Sequence, residues 1–267
     1  MQTNELLKNR IAFVTGATGA IGKAIARQLA EQDFEVVLVC RNEAKASKTT
    51  MEIIKATGND RVSYKIVDLS CRQSIRSFAQ NWDGPLHVLV NNAGATPRTR
   101  QETSEGIELQ FATNVLGYFW MVEFFGKHLK DSAPSRVVNV ASYWAGDLDL
   151  DDLEFKHRRY SNGTAYRQSK QANRMLTVAH AQRLASYKVS VNVCHPGDVN
   201  SQLSNNLGFG GHETPDEGAR TPVWLAISPV GQEKTGKYFS HMREERCRFG
   251  EDLQSVERLY NICVGYS

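Results

Sequence analysis

A chain of 267 residues, 41% apolar and 23% charged, can bury a full α/β core, and it contains no low-complexity tract. Its formal charge of +3 comes from dispersed basic residues, which argues against the clustered cationic face of a nucleic-acid binder.

The opening MQTNELLKNR carries neither an apolar signal core nor an Arg/Ser-rich transit pattern, so a soluble cytoplasmic protein is expected. Short β-branched runs then alternate with helical patterns. The strand candidates are Ile11–Thr15, Phe34–Cys40, Val62–Val67, Leu86–Asn91, Arg136–Ala141, Val189–Cys194 and Lys237–Phe239. Most are apolar throughout, as parallel strands buried on both faces are. Helical patterns occupy Ala20–Gln32, Glu43–Ala56, Ser70–Trp82, Gly106–Lys130, Thr164–Ser186 and Pro215–Ile227. The run Val115–Phe125, broken by Gly117 and Glu123, is too short to span a bilayer. Near the C-terminus, Arg243, Arg246 and Arg248 interleave with Glu244 and Glu245 and read as a solvated helix face. Repeated βα units predict one domain over residues 1–267: a doubly wound, mostly parallel seven-stranded sheet flanked by helices. Five scattered cysteines, Cys40, Cys71, Cys194, Cys247 and Cys263, include no CxxC pair and read as free thiols, Cys40 and Cys194 in the core. The histidines show no metal-ligand spacing.

The first strand runs into TGATGAIG, with Gly16, Gly19 and Gly22 between strand and helix. Glycine there permits a tight turn, close approach of a pyrophosphate and close packing of the helix, whose N-terminus offers free N–H groups and a positive dipole end. A dinucleotide site is expected. About 20 residues on, where an acid would take the 2′-hydroxyl of NAD, stand Cys40, Arg41 and Asn42. Arg41 suits a 2′-phosphate and can stack on adenine, so NADP(H) is expected over NAD(H).

Tyr166 and Lys170 lie four apart in a helical pattern and share a face. An ammonium, like a nicotinamide cation, lowers the pKa of a neighbouring phenol and so makes tyrosine a usable acid/base. Ser142 ends the fifth strand, where its hydroxyl can hold a carbonyl oxygen, and Asn114 sits mid-helix, a poor place for asparagine without a task.

Together these pieces resemble a short-chain dehydrogenase/reductase along nearly the whole chain: TGATGAIG, VDL at Asp68, NNAG at 91–94, Asn114, Ser142, Tyr166 with Lys170, and HPGDV at 195–199. The resemblance implies a Rossmann fold with a cofactor half over about 10–142, followed by the catalytic helix and substrate loops over 143–267. It implies Tyr166 as general acid/base, Ser142 as substrate polariser, Lys170 as ribose anchor and Asn114 as holder of a relay water. It places the cofactor against Thr18, Ala20, Ile21, Asp68, Leu69, Asn92, Ala93, Gly94, Pro196, Gly197, Val199 and Ser201.

Three features depart from the common short form. Ala20 stands where a glycine is usual, giving the TGxxGxxG of the extended, nucleotide-sugar members. Ser201 replaces a threonine, and the Ser142–Tyr166 interval is long. That interval, with CRN after the second strand and TPDEGART, resembles the retinol-dehydrogenase-like branch. The expected function is therefore an NADP(H)-dependent carbonyl/alcohol oxidoreductase. The alternatives are a non-catalytic NADPH sensor and a nucleotide-sugar epimerase or dehydratase. Tyr143, Trp144 and Phe155 in one long loop, and Leu203, Leu207 and Phe209 in another, suggest a lipophilic substrate. Lys156, Arg158 and Arg159 are the nearby candidates for clamping a charged one. Relatives pair the helices that carry Phe111, Tyr118, Phe119, Val122, Met175, Leu176 and Val178, which implies a homodimer or homotetramer.

Overall fold

A computed structural model describes residues 10–267; the leader reading falls almost wholly on residues outside that range. Eight strands form one sheet: β1 (Ile11–Thr15), β2 (Glu35–Cys40), β3 (Val62–Ile66), β4 (Val88–Asn91), β5 (Ser135–Val140), β6 (Val189–His195), β7 (Tyr238–Ser240) and β8 (Arg243–Glu245), in the spatial order β3-β2-β1-β4-β5-β6-β7-β8. All pairs are parallel except β7–β8. The order reverses between β1 and β4, where their C-terminal ends open the crevice that this architecture uses for ligands.

The helices cover both faces. On one, α1 (Ala20–Ala30) packs on α8 (Pro215–Ile227) beside α2 (Glu43–Thr57). The core here joins Val14, Leu38, Val90 and Val138 to Ile25, Leu29 and Val223. On the other lie α3 (Arg72–Gln80), α4 (Gly117–Phe124), α5 (Gly126–Asp131), α6 (Asn162–Leu184) and the C-terminal helix α10 (Leu253–Val264), around Phe13, Phe78, Phe125 and Trp120. Short helices α7 (Gln202–Asn206) and α9 (Pro229–Glu233) complete the set. Local chemistry starts the helices where expected: Ser161 accepts from the Thr164 amide at the head of α6, and Thr214 and Glu217 cap α8 reciprocally.

Three expectations need correction. The sheet has eight strands, because the Arg/Glu run begins with the exposed strand β8. Its turn is His241–Met242, with φ of 47° and 60°, the twin positive values of a tight hairpin. No glycine or asparagine advertises that turn in the sequence. The stretch read as one helix from Gly106 to Lys130 is divided into a turn at Gly106, a π-helical turn Phe111–Leu116, then α4 and α5. Strand β3 lies at the sheet edge and is largely exposed rather than buried on both faces.

The faces expected to pair two subunits are covered within the chain. Phe111, Tyr118, Phe119, Val122, Met175 and Leu176 are all buried, and Val256, Leu259 and Cys263 of α10 join the same core. Tyr260 packs edge-on to Phe119 at 5.3 Å, while Arg183 of α6 stacks on Tyr260 at 3.6 Å and pairs with Glu257 at 2.7 Å. An assembly of two or four copies would have to use surface other than these side chains.

Candidate active site

The Gly loop follows β1 directly. Gly16 adopts φ +64° and donates its amide to the Val39 carbonyl, tying the turn to β2. A Cβ on Gly22 would run into the Gly16 carbonyl oxygen and the Asn92 amide, so the helix can lie this close only with glycine there. The Thr15 hydroxyl accepts from the amides of Asn92 and Ala93, at 2.9 and 3.1 Å, and Asn92 donates to the Thr15 carbonyl. The NNAG segment after β4 is thereby bolted to the Gly loop. Asn91 works one layer deeper: it donates to Asn139, which donates to Thr177 of α6.

A cavity of about 620 Å³ opens above these strand ends. Of the residues expected to hold a cofactor, Gly16, Thr18, Gly19, Ala20, Ile21, Gly22, Arg41, Asp68, Leu69, Asn92, Ala93, Gly94, Tyr166, Lys170, Pro196 and Ser201 line it. Three do not. Asn42 turns its side chain onto the Lys45 amide as the cap of α2. Gly197 and Val199 lie outside the lining, because the following loop folds back and pairs Val199 with Glu213. Lys45, which sequence reasoning passed over, lines the cavity together with Arg41. Its signal was present: it lies one helical turn beyond a residue already suspected. The donor set suits an anionic dinucleotide, with the uncapped start of α1 and the cations Arg41 and Lys45 in one wall, and glycines Gly16, Gly19 and Gly22 leaving the backbone open to close approach.

To the same cavity α6 presents Tyr166 and Lys170. Tyr166 is only 6% exposed, and burial pushes its phenol up to about 12; the nearby Ser142 hydroxyl works in the opposite direction. Lys170 Nζ donates to the Val140 carbonyl at 2.9 Å and lies 5.6 Å from the Tyr166 ring centre. Burial brings the Lys170 ammonium down to about 7. The expected lowering of Tyr166 by Lys170 is not the dominant effect in the free chain: both groups are desolvated, and each is held toward its uncharged form.

Ser142 follows β5, and its Oγ accepts from the Trp144 amide at 3.1 Å. Asn114 lies in the π-helical turn, fully buried. Its Oδ1 accepts from the Ala95 amide at 2.7 Å, and its Nδ2 donates to the Ala95 carbonyl and, at 3.3 Å, to Ser169 of α6. The side chain fixes the cavity wall at Ala95 against α6. Neither Ser142 nor Asn114 lines the cavity itself.

These features decide the family, together with residues 10–209, which match the short chain dehydrogenase family. The chain is a short-chain dehydrogenase/reductase. Retinol dehydrogenase 12 of Homo sapiens is 35% identical, with 98% of this chain and 87% of that protein covered. A probable oxidoreductase of Streptomyces antibioticus is also 35% identical, covering 93% and 90%. Among solved structures, an uncharacterised protein from Mycobacterium paratuberculosis superposes with a TM-score of 0.81 at 26% identity, covering 97% and 94%. The Pseudomonas aeruginosa RhlG/NADP active-site complex gives 0.70 at 26%, covering 88% and 95%. This short-chain dehydrogenase/reductase is thus an alcohol/carbonyl oxidoreductase of the retinol-dehydrogenase-like kind that works with a nicotinamide cofactor.

The loops around its site are ordered by their own contacts. Phe155 is buried, with φ 55°, against Tyr160 and Arg158, so it packs the loop and not the cavity. Trp144 and Phe209 meet edge-on at 5.4 Å, joining the two loops near Tyr166. Tyr143, 58% exposed, leans on His195. Of the expected apolar side chains only Leu203 lines the cavity, with Pro97, Leu109 and Thr113 added. Lys156 pairs with Glu154, and Arg158 with Asp152, so these cations are engaged within the loop. No helix among the described residues is long and apolar enough to cross a membrane, and no cluster of ligating side chains there could hold a metal.

Proposed function

We propose that this enzyme interconverts a lipophilic aldehyde or ketone and its alcohol with NADP(H), in the cytoplasm, and that Tyr166 exchanges the proton. The observation that carries this reading is that Tyr166 and Lys170, with the Ser142 hydroxyl beside the Tyr166 phenol, stand in the wall of a glycine-lined cavity that Arg41 and Lys45 also line. A bound nicotinamide supplies or accepts the hydride. Tyr166, kept protonated by burial, donates to the carbonyl oxygen during reduction and takes the proton back during oxidation. Ser142 holds that oxygen through its hydroxyl. Lys170 offers an ammonium to the ribose and, once charged, stabilises the phenolate. Arg41 and Lys45 together complement the charge of a 2′-phosphate. The position of Lys156, Arg158 and Arg159 outside the cavity lining and the apolar wall at Leu203, Pro97 and Leu109 support an uncharged substrate. The Pseudomonas aeruginosa complex with NADP among similar structures supports the cofactor. A panel of ketones, aldehydes and secondary alcohols assayed with both cofactors tests the proposal; turnover confined to nucleotide sugars would refute it.

A further inference from the structure

We propose that Arg174 is a positioning residue that holds Ser142 in register with Tyr166. The proposal rests on the reading of Ser142 as the group that holds the substrate oxygen. Pairing of β5 with β6 reaches Val140 opposite Cys194, and the Ala141 amide makes the last bond of that edge, to the Cys194 carbonyl. Ser142 therefore stands just beyond the ladder that would fix it. Its carbonyl instead accepts a hydrogen bond from the Arg174 guanidinium at 2.6 Å. Arg174 lies four residues past Lys170 and eight past Tyr166, so the three occupy successive turns along one side of α6. One helix thus carries the proton donor and also grips the strand end that carries the serine.

The guanidinium is itself immobilised. It lies 3.6 Å from the centre of the Tyr238 ring and 5.6 Å from that of Phe249, and the residue is only 6% exposed. Arg158, Arg167 and Arg183 each pair with a carboxylate, whereas Arg174 has no such partner among the described residues. Burying a cation without a counter-charge is costly, and methionine would fill the space without that cost. What the cation adds is a rigid, charge-assisted donor aimed at the Ser142 carbonyl.

Arg174→Met and Arg174→Lys test this, each alone and with Ser142→Ala. Loosening a reacting group by a fraction of an ångström predicts a fall in kcat of about 10- to 100-fold for Arg174→Met, with KM and the NADPH dissociation constant within about threefold of wild type. Arg174→Lys restores part of the rate, since an ammonium can still donate to the carbonyl. In the Ser142→Ala background Arg174→Met costs nothing further, because the group it positions is gone. Independently of turnover, hydrogen exchange at the Trp144 amide, which is bonded to Ser142 Oγ, quickens in Arg174→Met and less in Arg174→Lys. If Arg174→Met does not fold, Arg174→Gln carries the same comparisons. Unchanged kcat and Trp144 exchange, or an equal loss in both backgrounds, would overturn the role of Arg174. Full turnover by Tyr166→Phe in the same series would overturn the underlying reading instead.

Discussion

Lys170 donates its hydrogen bond to the Val140 carbonyl and not to Tyr166, although its ammonium nitrogen lies 5.6 Å from the centre of that ring. The lysine thus spans from the catalytic helix to the strand end beneath the cofactor cavity. Both it and the tyrosine are buried where their charged forms are disfavoured. A charged ligand bound beside such buried groups would shift their protonation.

Such a shift predicts a pH-dependent affinity. Lys170 in the free chain titrates near about 7, far below its ordinary range, because burial disfavours the ammonium. Dinucleotide phosphates raise it, so the complex holds more protons than the free chain at pH above about 7, and affinity must fall as pH rises. The NADPH dissociation constant should weaken by up to about tenfold per pH unit between pH 7 and 9, with proton uptake visible by calorimetry in buffers of different ionisation enthalpy. Lys170→Met should flatten the slope. A flat wild-type profile would refute the linkage.

Cofactor choice should follow Arg41 and Lys45 together. NADPH should bind at least about tenfold more tightly than NADH, a preference that needs only about 1.4 kcal/mol. Arg41→Ala and Lys45→Ala should each erode it and the double variant remove it, with NADH affinity nearly unchanged, as read by fluorescence titration. Equal wild-type affinities would contradict the assignment.

Gly22→Ala should damage both fold and site. Its methyl group would press on the Gly16 carbonyl and Asn92, atoms that the Gly loop and the NNAG segment hold in place. Forced overpacking of this kind costs about 1–3 kcal/mol, so a clear drop in melting temperature and weaker NADPH binding are expected. An unchanged melting temperature would show that the loop yields easily.

The mostly parallel sheet, the Gly loop and the Tyr166–Lys170 face were legible because each rests on local pattern: apolar strands, glycines between strand and helix, and a four-residue interval. The β8 hairpin was not, since its turn uses His241 and Met242 at positive φ, where propensity points to other residues. Pro97 and Leu109 were placed in the cavity wall by tertiary packing, and Asn42, Gly197 and Val199 were taken out of it by a helix cap and a folded-back loop. The apolar faces of α4 and α6 carry part of their burial through α10 of the same chain, a contact that their periodicity alone does not specify.

Substrate length should matter. Each methylene buried contributes about 0.8 kcal/mol, about a fourfold gain, so kcat/KM should climb along a series of aldehydes until the cavity is filled. Leu203→Asp should blunt the climb. Values that stay flat or fall with chain length would contradict an apolar site.

The most direct measurement compares Tyr166→Phe with wild type for NADPH binding and for carbonyl turnover in the same preparation. The substitution removes one hydroxyl from a buried ring and leaves the cavity glycines, Arg41 and Lys170 in place. The account predicts NADPH affinity within a few-fold of wild type and kcat lower by about 10²–10⁴-fold. Near-normal kcat in Tyr166→Phe would contradict it.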